Sequence, residues 1–362
     1  MNAGRLGTAG SRRLRHRPKL HRQAAPSPGY RGRTNVESSD WSRMPSSSTS
    51  IFSDPDGFEA TLRRWMDVDL TITGEGHYRS RLTQIALRHL YLAAGHESVS
   101  RIAFMSMRLD LVLLWWPTGD HASQIWRGST TLPGEIVTLN PGESVHARSV
   151  GASRWAGLWI STADLARYSQ TLIGKPIEGV GGIRSWRPDR AALHTLTALH
   201  AAAVKLFETR PKEVPTASAI RGLEQQLIHA LVECVSGPAT RIHGVGKQRA
   251  NMMVRFEAAC IAHAQTKITL FELCAVLDVA ERSLRTCCRQ YLGMGPMRYL
   301  RVRRMNLVRH ALRTAHPADS KVADLAARYG FTTTPRFTAA YRRMFGELPA
   351  ATLRRRNTRL TM

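Results

Sequence analysis

Two short stretches near the C-terminus set Arg and Thr side chains on one face of a helix, at spacings suited to reading base-pair edges. In the first, ERSLRTCCRQYL, Arg282, Ser283, Arg285, Thr286 and Arg289 fall on the side away from Leu284 and Tyr291. In the second, Thr333, Thr334, Arg336, Arg342 and Arg343 lie away from Phe337, Tyr341 and Phe345. An Arg in the first turns of a helix docked in the major groove can donate two parallel hydrogen bonds to guanine O6 and N7. Arg282 and Arg285 are the expected base readers of the first stretch, with Thr286 beside them and Arg289 at phosphate. In the second, Thr333, Thr334 and Arg336 are expected at base edges, and Arg342 and Arg343 at phosphates.

Other residues suggest other chemistry. Trp115, Trp116, Trp126 and Trp159 offer flat apolar walls for a small-molecule effector, with ordinary core packing as the competing reading of each. His146 stands near a turn where a metal-binding barrel would hold ligands. No H-x-H pair or accompanying Glu stands with it, so a hydrogen-bonded or exposed histidine is expected there. Cys234, Cys260, Cys274, Cys287 and Cys288 lack zinc-ligand spacing and read as reduced thiols. No metal and no cofactor are expected. The same spacing argument counts against the enzyme alternatives, a metalloenzyme barrel fused to a DNA-binding domain or an alkyl-transfer protein with a zinc-bound Cys.

Charge is distributed in keeping with the opening residues. The chain carries a formal net charge of +25, yet residues 241–362 hold 23 Lys and Arg against 7 Asp and Glu, and residues 1–50 hold 10 against 2. The middle is nearly neutral, with 19 basic and 18 acidic side chains. A basic region attached to a neutral body is the footprint of polyanion binding, because each neutralised phosphate releases condensed counterions. The longest apolar run in the middle, Leu111 to Trp116, is far short of the roughly 18 residues a membrane span needs.

The elements that must position these residues follow from pattern. Residues 1–50 are rich in Arg, Ser, Pro and Gly and read as a disordered basic leader, with Met44 as an alternative start. From Tyr78 to Ser161, short apolar runs alternate with Gly and Pro, giving strands at 102–107, 110–116, 121–126, 135–139 and 156–160 and a turn at Pro141–Gly142. Residues 51–165 are therefore assigned to a β-barrel effector domain. Residues 166–240 form a helical region whose stripe of Ile220, Leu223, Leu227 and Leu231 packs within the domain or on a second copy. The breakers Gly237, Pro238, Gly244 and Gly246 introduce a linker at 241–252, followed by a DNA-binding domain at 253–356 and a tail at 357–362.

Within that domain the pattern occurs twice: a short apolar helix, a tight turn, a basic helix. Leu273, Val276 and Val279 are expected on the buried side of the first leading helix and its turn. In the second unit Val322, Leu325 and Ala326 lead to Gly330, suited to a positive φ, and Phe331. Ala280 stands where a capping side chain would be favourable, and Thr332 or Thr333 is the expected cap of the last basic helix. A helix from 296 to 314, roughly 28 Å long, joins the units; major-groove faces on one side of a duplex repeat at about 34 Å. Arg298, Arg301, Arg303, Arg304 and Arg309 along it are expected to divide between solvent and the DNA backbone.

The run GMGPMRYLRVRRMNLVRHAL, followed by VADLAARYGFTTTPRFTAAYRRMFGELPAATLRR, resembles the AraC/XylS family of bacterial transcription regulators. PGEIVTLNPGESVHARS resembles the cupin-like effector domain that many such regulators carry. The resemblance implies a multidomain α+β chain: an N-terminal cupin-like β-barrel with a helical extension, then an all-α domain of two helix-turn-helix units on one linking helix. It also implies a transcription regulator, most often an activator, that binds double-stranded DNA, contacts RNA polymerase, answers a small-molecule effector, forms a homodimer and works in the bacterial cytoplasm at the nucleoid. Cys288, Thr286, Pro335 and Ala339 depart from the residue types usual in the family. The first unit is accordingly expected to supply more of the sequence readout than the second.

Overall fold

Residues 46–355 are described by a computed structural model, apart from 109, 120–123, 178–181, 210–215 and 242–245. The first strand, β1 (Ser46–Phe52), pairs antiparallel along its whole length with β3 (Ser80–Ala86). Residues 46–50 therefore belong to the sheet and not to a leader. The run SSSTS lacks apolar alternation because it is a largely exposed edge strand, held by backbone pairing and by the Thr49–Thr83 hydroxyl contact at 3.1 Å. The rest of the leader and the alternative start at Met44 lie outside the described residues. α1 (Pro55–Leu62), capped by the Asp54 carboxylate accepting from Gly57 N at 2.9 Å, and β2 (Met66–Ile72) also precede the first strand expected from sequence.

The chain continues through β4 (Leu90–Glu97), β5 (Arg101–Met107), β6 (Leu111–Pro117), β7 (Gln124–Trp126), β8 (Ser129–Thr130), β9 (Ile136–Leu139), β10 (Ser144–Ser149) and β11 (Ser153–Ser161). Four of the expected strands stand as β5, β6, β9 and β11. The fifth is shortened to β7, its start at His121 lying outside the described residues. Then come α2 (Thr162–Ile173), which begins at a Ser161 cap and ends on left-handed Gly174, β12 (Arg184–Trp186), α3 (Arg190–Thr209), α4 (Ala217–Cys234) and β13 (Ala239–Arg241). β12 pairs with β9 and β13, so the region expected as helical, with its boundary at 240–241, also adds two strands to the sheet. Three-residue strands are too short to betray a period in sequence.

The strands form two antiparallel sheets, β1-β3-β4-β11-β6-β9-β12-β13 and β2-β5-β10-β7-β8. Their facing sides share one core, with Leu113, Trp115 and Trp159 from the larger sheet and Val68, Met105, Val145 and Trp126 from the smaller. Period-2 alternation sends the neighbouring residues outward. The outer face of the larger sheet, with Val112, Leu114 and Trp116, packs on α3 and α4. Ile220, Leu227 and Leu231 are buried there, so the α4 stripe is used within the chain. The outer face of the smaller sheet carries Asp69, Phe104 and His146 in one cross-strand row.

Seven helices among the described residues complete the fold: α5 (Gly246–Ala262), α6 (Leu270–Leu277), α7 (Glu281–Leu292), α8 (Pro296–Thr314), α9 (Val322–Arg328), α10 (Pro335–Phe345) and α11 (Pro349–Arg354). α5 begins inside the expected linker. Met253, Phe256 and Cys260 are buried in the core of the first unit, and that packing extends the helix back through a Gly-containing start. The N-terminal β domain with its helical extension and the all-α C-terminal domain are thus the architecture expected from sequence. Among the described residues, no helix is long and apolar enough to cross a membrane.

Candidate nucleic-acid interface

Each unit builds its exposed helix from a buried ladder. α6 starts in a capping box, with Thr269 Oγ1 accepting from Glu272 N at 3.2 Å and Glu272 accepting from Thr269 N at 2.8 Å. The T-x-x-E signal of this box stands in the sequence as Thr269 and Glu272. Leu273, Cys274 and Leu277 face the core, whereas Val276 is 55 % exposed; the 3-4 spacing passes through 270, 273, 274 and 277 and leaves position 276 off the stripe. The first turn passes through Asp278 in the left-handed region at φ 51°, and the second through Gly330 at φ 77°. α7 begins at Ala280 without a side-chain cap, as its residue type requires. α10 is capped by Thr334, whose hydroxyl accepts from Phe337 N at 3.3 Å; neither Thr332 nor Thr333 is the cap.

The outward faces are as the sequence implies. Leu284, Cys287, Cys288 and Tyr291 anchor α7, leaving Arg282, Ser283, Arg285, Thr286 and Arg289 exposed. Arg285 Nε donates to Glu281 Oε1 at 2.6 Å, while Thr286 Oγ1 donates to Arg282 O at 2.8 Å. On α10, Phe337, Tyr341 and Phe345 are buried, and Thr333, Thr334, Arg336, Arg342 and Arg343 are exposed. Thr333, Thr334, Arg342 and Arg343 line one open concavity of about 860 Å3 together with Pro335, Thr338 and Ala339, and Arg336 lies outside it.

α8 is 19 residues long, and its arginines divide unexpectedly. Arg298 and Arg301 are exposed, Arg301 lying 5.6 Å from the Phe331 ring centre. Arg304 donates to His263 O at 2.9 Å, and Arg309, buried, lies 3.9 Å from Glu347. Arg303 is buried and reaches both domains: its Nη1 and Nη2 donate to Asp69 of β2 at 2.8 and 2.7 Å, and Nη1 lies 2.8 Å from Glu257 of α5. Glu257 also meets His146 of β10 at 3.0 Å and accepts from Tyr299 Oη at 2.9 Å. Burial raises the Glu257 pKa, but the Arg303 guanidinium with His146 and Tyr299 more than offsets it and holds the carboxyl at about 2. His146 is thus a buried, satisfied side chain in a domain contact. Among the described residues no group of three His, Cys, Asp or Glu is arranged to hold a metal.

The same contact continues along α8. Ile72 N donates to Asn306 Oδ1 and Asn306 Nδ2 donates to Ile72 O, both at 3.0 Å, and Arg313 reaches Asp54 at 3.0 Å. At its far end the loop after β2 touches the second exposed helix: Glu75 lies 3.1 Å from Arg343, Gly76 N donates to Arg343 O at 3.0 Å, and a Cβ on left-handed Gly346 would stand 2.8 Å from the His77 ring. Sequence reasoning missed Asp69, Glu257, Tyr299 and Glu75. One signal existed: Arg303 falls four residues after Tyr299 on the buried stripe of α8, where a charge needs a partner.

The four tryptophans do not form one wall. Trp115, Trp126 and Trp159 are buried in the core between the sheets, with the Trp115 and Trp126 ring centres 5.2 Å apart. Trp116, next along β6, necessarily points the other way and meets His200 of α3 edge-on at 5.3 Å.

Two helix-turn-helix units with solvent-facing Arg and Thr, held on one helix, define a DNA-binding domain. Residues 273–355 match the family model described as "Helix-turn-helix domain". The chain is 38 % identical over 93 residues to the "Probable thc operon regulatory protein" of Rhodococcus erythropolis, covering 26 % of this chain and 28 % of that protein. It is also 38 % identical over 89 residues to "XylDLEGF operon transcriptional activator 1" of Pseudomonas putida, covering 25 % and 27 %. The matches thus span little more than a quarter of these relatives' length. Among solved structures, the AraC-like transcriptional activator CuxR aligns with 72 % of this chain and 94 % of its own at 14 % identity and a TM-score of 0.39. Residues 273–355 of this chain are thus a helix-turn-helix domain similar to those of these operon regulators.

Proposed function

We propose that the whole chain is a sequence-specific transcription regulator, acting chiefly as an activator in the cytoplasm at the nucleoid. The observation that carries this reading is the pair of exposed Arg and Thr faces on α7 and α10, joined by α8 and matched over residues 273–355. α7 presents Arg282, Arg285 and Arg289, whereas α10 begins with Thr334 and Pro335 and one forward Arg, so α7 carries most of the base readout. No catalytic role is assigned to any residue. RNA polymerase is the expected protein partner, and a homodimer is the expected assembly.

The N-terminal domain answers a small molecule in this reading. Support comes from the interior between the sheets, where the indole N–H groups of Trp126 and Trp159 and the side-chain amide of Gln124 are buried without a hydrogen-bond partner among the described residues. Trp116 belongs to the helical side and is not part of that interior.

The test is binding of purified full-length protein to DNA flanking its own gene, with a footprint to define the operator. Arg285→Ala is expected to weaken binding to that operator by about 1 to 3 kcal/mol and to relax preference at one base position. Unchanged affinity together with unchanged base preference would remove Arg285 from the interface, and the absence of any protected sequence would sink the regulator reading itself.

A further inference from the structure

A cavity of about 240 Å3 lies on the helical face of the larger sheet. Its floor is apolar, made by Val112 and Leu114 of β6, Leu165 of α2 and Val235 at the end of α4. Lys175 and Arg184 line its polar side. Among the described residues neither cation has a carboxylate partner, and Arg184 Nε is buried without a hydrogen bond. Arg187, three residues on from Arg184, instead pairs with Glu135, the residue before β9, at 2.8 Å, so that carboxylate is already used. Thr138 is likewise occupied, accepting from Trp186 Nε1 at 3.1 Å.

A guanidinium with a buried, unsatisfied N–H beside an apolar floor is costly unless something anionic completes it. The geometry points to a binding site for a small carboxylate with an apolar body: the acid group on Arg184 and Lys175, the body on Leu114, Leu165 and Val235. The planar guanidinium fork matches a carboxylate, and the apolar floor would be wasted on an inorganic anion. Drug-sized ligands occupy roughly 300 to 1,000 Å3, so this site takes a smaller molecule. Ser236 and Gly237, at the cavity's edge, lead directly into β13 and the connection to the DNA-binding domain, so an occupant touches the segment that joins sensor to reader. The site stands on its own geometry and its test involves no DNA, which keeps it separable from the regulator reading.

The test is calorimetric titration of the full chain with butyrate, cyclohexanecarboxylate and phenylacetate, with cyclohexanecarboxamide and inorganic phosphate as controls. At least one acid is expected to bind saturably with Kd below about 1 mM, with amide and phosphate roughly tenfold weaker or absent. Arg184→Gln should weaken the acid roughly tenfold or more, and Lys175→Gln, at an exposed position where folding is not at stake, by a smaller factor. Trp115→Phe, in the space between the sheets, should leave it unchanged. No saturable binding by any of the three acids, equal binding of acid and amide, or acid binding indifferent to both Arg184→Gln and Lys175→Gln would overturn the proposal.

Discussion

Arg343 has two claims on it. It is exposed on α10 at the place proposed for a phosphate contact, and it pairs with Glu75 from the other domain at 3.1 Å. An exposed pair of this kind contributes at most about 1 kcal/mol to folding, so its consequence lies in binding and not in stability. Glu75→Gln is expected to leave the melting temperature unchanged, to tighten DNA binding several-fold at low salt, and to steepen the logarithmic salt dependence by about one unit. Fluorescence anisotropy across a salt series reads this, and an unaltered slope would mean that Arg343 never meets phosphate. Neither Glu75 nor its reach was legible in the sequence, because a loop Glu 268 positions from Arg343 carries no periodic signal. The exposed sides of α7 and α10 were legible because helical spacing alone fixes which residues oppose Leu284 and Phe337.

At the scale of elements, the two helix-turn-helix units reach one shape with different local chemistry. The first turn places Asp278 in the left-handed region and leaves α7 uncapped at Ala280; the second uses Gly330 and caps α10 with Thr334. Ala280→Ser is expected to add about 1 kcal/mol of stability, and Gly330→Ala to remove about 1 to 2 kcal/mol, both measured by urea denaturation. A neutral Ala280→Ser would mean that Arg282 N and Ser283 N are satisfied by water. Helix types and approximate ends were readable from periodicity and breakers. β1, β12 and β13 were not, since an exposed edge strand and three-residue strands are specified by the partner they pair with.

Across the whole molecule, the DNA-binding domain is docked on the outer face of the smaller sheet through a buried charged cluster. Arg303 joins Asp69 of the β domain to Glu257 of α5, and His146 closes the cluster from β10. Asp69, about one-third exposed, is the accessible arm. Asp69→Asn is expected to loosen the docking while keeping the inner Arg303–Glu257 pair, read as faster hydrogen exchange at Ile72 N, which donates to Asn306. Protection unchanged from the parent would show that the apolar contacts hold the domains alone. Glu257 sets an acid limit. Its carboxyl lies at about 2 when folded and near 4.3 in an unfolded chain. The stabilisation it gives is complete above about pH 5 and is lost as pH falls through the folded value. Denaturation midpoints that stay flat between about pH 5 and 2 would contradict this.

Spacing within one element was enough to specify the two helix-turn-helix units, the linking helix, the face each basic helix presents and the strand-rich character of the middle. Packing between distant elements is what puts Arg303 and His146 in a domain contact, turns Trp116 away from Trp115 and its companions, and leaves Arg184 with a cavity in front of it. Each of those depends on which sheet face meets which helix, and pairing across more than a hundred residues is set by the packing of the whole chain.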